Sequence, residues 1–164
     1  IGMSGVGKIM LGARLAKMLG IGFVDTDALI EAQTGERLAD TIRRIGDEAF
    51  LRLEESVLLA LTANRTVIAT GGSAVYSEKG MSALRHNGIV VYLSVPYSVI
   101  ACRVKNASTR GIVMRYGRSL QETYEDRLVL YQRYADITIQ LANKRVKDST
   151  EELVTALQER RITL

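Results

Sequence analysis

The chain has 164 residues, 47% of them hydrophobic and 24% charged, a length and balance that bound it to one globular domain with a core and exclude a disordered chain. The net charge of +4 suits anionic ligands, but the basic residues are scattered with few aromatics among them, so no nucleic-acid partner is expected. No apolar run reaches the roughly 18 residues of a membrane span and no basic-then-apolar leader is present, so the expectation is a cytoplasmic protein without a membrane partner.

The first stretch, IGMSGVGKIM, carries the strongest local signal. Gly2, Gly7 and Lys8 fit the phosphate-loop pattern G-x-x-x-x-G-K, with Ile9 where a hydroxyl residue completes it. Gly2, Gly5 and Gly7 allow backbone N–H groups to turn inward around phosphate oxygens, and Lys8 adds a compact positive charge. A helix over 7–19 follows, its N-terminus aimed at the same anion. Residues Gly5, Val6, Gly7, Lys8, Ile9 and Met10 are therefore the candidate nucleotide contacts. The strand that leads into such a loop is expected to lie largely before Ile1.

Further along, strands are predicted at 22–24, 66–70, 89–94 and 137–141, and helices at 38–45, 47–61, 78–87, 98–105, 119–135 and 150–160. Alternation of strand and helix points to a three-layer α/β/α domain around a parallel sheet, five-stranded with the strand before the loop. Continuous apolarity in TVIAT and IVVYL predicts strands buried on both faces. Cys102, the single cysteine, reads as buried helix filler, and His86 as an exposed turn residue. Residues 106–118, with three arginines, two glycines and no clear period, read as a lid or as a solvated basic loop.

In open parallel sheets ligands bind beyond the carboxyl ends of the strands. There lie Asp25 and Asp27, then Gly71, Gly72 and Ser73. One aspartate is a candidate to orient magnesium through water, the other to accept a proton from an attacking hydroxyl; equally, Asp27 stands where a helix cap belongs. The glycines permit close approach of backbone to ligand, or a turn with positive φ. Arg127 on the long helix is a candidate carboxylate fork, although helix arginines usually face solvent.

Taken together, these residues resemble the shikimate kinases, small members of the nucleoside monophosphate kinase-like P-loop group. The resemblance spans the chain: GMSGVGK resembles the family's phosphate loop, FVDTDALIE its D-[ST]-D-x-x-I-E signature, and GDEAFLRLEE its G-E-x-x-F-R-x-x-E helix. TGGSAV is similar to its triple-glycine turn, TRGIVMR to its lid, and RLVLYQRYAD to its R-x-x-L-Y-x-x-x-A-D. The resemblance implies the P-loop NTPase fold, ATP with magnesium, and phosphorylation of the shikimate 3-hydroxyl in aromatic amino acid synthesis by a monomer. Lys8 would stabilise the transferring phosphate, Asp25 place magnesium, and Asp27 hold the substrate hydroxyls and help activate the nucleophile. Gly71 and Gly72 would lend backbone donors, Arg127 pair with the substrate carboxylate, and Arg110 close over the phosphates. Arg103 and the segment from Asn143 to Arg145 match positions flanking adenine.

Departures from the pattern are as specific as the matches. Ile9 and Met10 replace Ser-Thr, removing a magnesium-ligating hydroxyl, and Leu51 replaces a substrate-binding arginine. Arg52 lies one residue on, about 100° round the helix. Ser73 replaces the third glycine, and Gly111 the lid proline. The expectation is a shikimate kinase, weakened or adapted; the rivals are a kinase for another small polyol and a nucleotide-binding module without turnover.

Overall fold

The computed structural model describes residues 1–86, 88–104, 111–142 and 144–159. Helix α1 (Lys8–Leu19) follows the loop and runs to Gly20, whose φ of 64° ends it in the left-handed region. Strand β1 (Gly22–Asp25) then leads straight into α2 (Thr26–Thr34). Next come α3 (Leu38–Ile45), α4 (Asp47–Ala60), β2 (Thr66–Ala69), a 3-10 turn (Ala74–Tyr76) and α5 (Glu78–His86). Strand β3 (Val91–Ser94), α6 (Tyr97–Arg103), a second 3-10 turn (Arg115–Gly117), α7 (Leu120–Tyr134), β4 (Ile137–Gln140) and α8 (Val146–Glu159) complete the order.

Both strand pairs are parallel, as crossover helices between them require. β1 pairs with β2 from Gly22 opposite Thr66 to Asp25 opposite Ala69, and β3 with β4 from Val91 opposite Ile137 to Ser94 opposite Gln140. The expected five-stranded sheet is thus corrected to two two-stranded sheets among the described residues. The reason lies at Ile1. Its backbone nitrogen donates to Val91 O at 2.7 Å and its carbonyl accepts from Leu93 N–H at 3.0 Å, the two bonds of a parallel bridge. Gly2, at φ 145°, already turns away into the loop, so one residue of pairing edges β3, and among the described residues no backbone hydrogen bond joins it to β2.

The larger core lies between α1, β3, β4, α7 and α8, and includes Leu11, Leu15, Tyr92, Leu93, Ile100, Tyr131, Ile139 and Leu153. A second cluster, Ile30, Phe50, Val57 and Val113, is packed by Leu38, Ile42 and Leu51. It joins α2, α3 and α4 to the segment after residue 110. Of the two strands expected to be buried on both faces, β3 is buried at Tyr92 and Leu93 and half-buried at its ends, whereas β2 is half-buried up to Ile68 and buried only at Ala69. Cys102, expected inside, is exposed on α6. His86 is exposed, as expected. No helix of the described residues is long and apolar enough to cross a membrane.

Candidate functional site

Local geometry around Lys8 follows from the glycines. Gly5 and Gly7 take φ of 81° and 105°, values a side chain rarely tolerates, and Gly7 caps α1 without any side-chain acceptor. The first N–H groups of α1 are therefore left to an anion, where the helix dipole is positive. Lys8 Nζ donates to Gly2 O at 2.7 Å and Met3 O at 2.9 Å, which holds the ammonium over its own loop. Loss of water pushes its pKa down to about 8, against the pull of Asp27. Arg103, at the end of α6, donates to Gly5 O at 3.3 Å and Val6 O at 3.4 Å, which places its guanidinium against the loop.

The aspartates separate into two roles. Asp25, not Asp27, caps α2: its carboxylate accepts the Asp27 N–H at 3.1 Å, because the helix begins at Thr26 directly off β1. Asp27 is thereby free to face the cleft from the first turn. Thr26, fully buried, accepts the Gly71 N–H at 3.1 Å and ties that turn to α2. The α-carbon of Gly71 is covered by Asp27 Oδ1 and Glu54 Oε1, so any side chain there would strike both carboxylates. Burial raises the Asp27 pKa to about 6, countered by Lys8, and that of Glu54 to about 7, countered by a hydrogen bond from Ser73.

On the opposite wall, Arg127 is only 1% exposed, contrary to the usual fate of a helix arginine. Its Nη2 donates to Val113 O at 2.5 Å and its Nε to Tyr76 Oη at 3.4 Å, while its guanidinium lies 5.2 Å from the centre of the Tyr76 ring. Tyr76 in turn donates to Asp126 at 2.9 Å. One turn beyond Arg127, Tyr131 donates to Gly72 O at 2.7 Å and stacks on Tyr92 at 5.1 Å. Ser4, Asp27, Phe50, Gly71, Gly72 and Arg127 line a common cleft, with Gly111, Ile112 and Val113 across it.

Several predicted residues fall elsewhere. Arg145 is directed away, bonding Asp148 at 3.0 and 3.1 Å with its side chain 83% exposed, since the two stand three apart at the start of α8. Arg110 and Asn143 lie outside the described residues. Ile9 and Met10 are 53% and 61% exposed on the first turn of α1. Leu51 packs on the second apolar cluster, and Arg52 faces solvent 4.0 Å from Glu48, so neither supplies a cation to the cleft. Sequence reasoning missed Ser4, Glu54 and Tyr76. Ser4 occupies an unrestricted position of the loop pattern, and Tyr76 follows the glycine turn with no motif of its own. Glu54 was visible only as the last residue of the α4 signature.

Comparison with known proteins agrees with this geometry. A family model described as shikimate kinase matches residues 4–158. The shikimate kinase of Thiobacillus denitrificans is 35% identical over 156 residues, covering 93% of this chain and 85% of that protein. The structure of shikimate kinase from Acinetobacter baumannii in complex with shikimate superposes with a TM-score of 0.89 at 28% identity, over 99% of this chain and 92% of that one. Shikimate kinase from Aquifex aeolicus gives 0.85 at 26%, over 99% and 96%. The α/β architecture is accordingly that of P-loop NTPases, and the chain belongs to the shikimate kinase family.

Proposed function

We propose that this chain is an ATP-dependent kinase that transfers the γ-phosphate to the 3-hydroxyl of shikimate, in aromatic amino acid synthesis. The observation that carries the reading is one cleft in which Asp27, Gly71, Gly72 and Arg127 meet Ser4 of the phosphate loop. Similarity to a shikimate-bound enzyme supports it. Residues 1–164 act as one domain, with about 106–118 as its lid and Arg110 closing over the phosphates. The cytoplasm is its expected compartment and a monomer its expected state.

In this reading Gly5, Val6, Gly7 and the first turn of α1, with Ile9 and Met10, receive the phosphates, and Arg103 braces the loop on its outer side. Arg145 would approach adenine only by leaving Asp148. Lys8 offsets charge on the transferring phosphate. Arg127, locked by Val113 and Tyr76, holds the acceptor's carboxylate, and Gly71 and Gly72 admit the ring close to the backbone. Asp27, with a pKa near 6, is mostly ionised at neutral pH and takes the proton of the attacking hydroxyl.

Magnesium, when bound, neutralises charge between the phosphates. The donor set fits an ion held largely by water and phosphate. Asp25 keeps one carboxylate oxygen free of hydrogen bonds to any described residue, Ile9 offers no donor, and no cluster of three or more metal-ligating side chains occurs among the described residues.

The test is ADP release coupled to a reporter, with shikimate, with other polyols and without acceptor. Shikimate-dependent turnover is expected; its absence at high enzyme concentration overturns the reading. A second reading, phosphorylation of a different small polyol, draws on Leu51 packing into apolar surface, and turnover with an uncharged polyol alone would favour it. ATP binding without any turnover would favour the nucleotide-binding module.

A further inference from the structure

Ser4 belongs to the phosphate loop yet lines the acceptor side of the cleft. Its Oγ lies 3.0 Å, its backbone nitrogen 3.2 Å and Arg127 Nη1 3.1 Å from the point where a side chain on Gly72 would begin. The bare α-carbon of Gly72 thus lets a hydroxyl and a guanidinium nitrogen close on one spot of the cleft wall. Among the described residues Ser4 Oγ has no hydrogen-bond partner. Arg127 uses Nη2 on Val113 O and Nε on Tyr76 Oη, which leaves Nη1 for a ligand.

A carboxylate presents two acceptor oxygens, and one guanidinium nitrogen satisfies one of them. Arg127 is the only guanidinium among the described residues lining the cleft. We propose that Ser4 is a specificity-determining residue whose Oγ–H donates to the second carboxylate oxygen of the acceptor, beside Arg127 Nη1. This inference rests on the proposed function, because it assigns a contact to the same carboxylated acceptor. Donation from the phosphate loop also couples acceptor placement to the γ-phosphate: the group that orients the acid sits one residue before Gly5.

Ser4→Ala tests it, with Ser4→Thr as the variant that keeps the hydroxyl. Calorimetry and steady-state kinetics would be run with shikimate, with its uncharged methyl ester and with ATP. A charge-assisted hydrogen bond of about 1.5–3 kcal/mol predicts that Ser4→Ala weakens shikimate about 10–100-fold. The ester and ATP should change less than about threefold, and Ser4→Thr should recover most of the loss. An unchanged shikimate affinity overturns the proposal, as does an equal loss for shikimate and ester, or a loss confined to ATP. Failure of the wild-type protein to bind shikimate would overturn both this inference and the proposed function. Normal shikimate turnover with no effect of Ser4→Ala would overturn this inference alone.

Discussion

Ile9 and Leu51 remove a polar group from each half of the site, and the structure shows how differently the two are tolerated. Ile9 lies in water on the first turn of α1, where a smaller hydroxyl meets no packing penalty. Ile9→Ser is expected to raise the magnesium-dependent rate about tenfold or more, as one regained charge-assisted contact implies. Titration of rate against magnesium checks it, and an unchanged profile would remove the metal argument. Leu51, by contrast, covers part of the cluster of Ile30, Phe50, Val57 and Val113. Leu51→Arg should lower the KM for shikimate several-fold while losing about 1–2 kcal/mol of stability from unburied side-chain area. A KM that stays put would mean that the α4 position no longer faces the acceptor. Arg52 does not already fill the role, since it faces solvent beside Glu48.

At the scale of elements, the site is assembled by helix termini. Asp25 closes the first turn of α2, which turns Asp27 inward; Tyr131 and Arg127, one turn apart on α7, grip Gly72 O and Val113 O. That helix is started by a capping box: Ser119 Oγ accepts the Glu122 N–H at 3.2 Å and Glu122 accepts the Ser119 N–H at 2.8 Å. Ser119→Ala should cost about 1 kcal/mol and lower Tm by about 2–4 °C, read by thermal unfolding. Because Arg127 lies two turns further on, the KM for shikimate should move little. The α7 helix and the turn after β2 were legible from local pattern. Which carboxylate caps α2 was not, since both aspartates suit a cap and the choice depends on β1 passing into α2 without a linker.

For the whole molecule, buried ionisable groups link stability to pH. Glu54 is 2% exposed, and its value near 7 lies above the ordinary glutamate value, so the folded state binds its proton more tightly than the unfolded chain does. Stability from this group is full below about pH 4.5 and is lost as pH rises toward 7. Asp27 acts in the same direction between its ordinary value of 3.8 and about 6. Lys8, lowered to about 8, has the opposite sign and regains stability only above that value. Tm should therefore fall between pH 5 and 7, by a few degrees on the scale of about 1–3 kcal/mol, and Glu54→Gln should flatten that fall. A wild-type Tm independent of pH across this window would show that Glu54 is already neutralised by Arg127. The sequence by itself determined the phosphate loop, the strand-helix alternation and the family, because contiguous residues carry those signals through backbone conformation and apolar period. Only the tertiary structure decided that Arg127 is buried, that Ser4 lines the cleft, that Glu54 lies against Gly71 and that Tyr76 meets Arg127. Those outcomes depend on contacts between segments that are not neighbours in the chain, where packing and loss of water, rather than spacing, choose each partner.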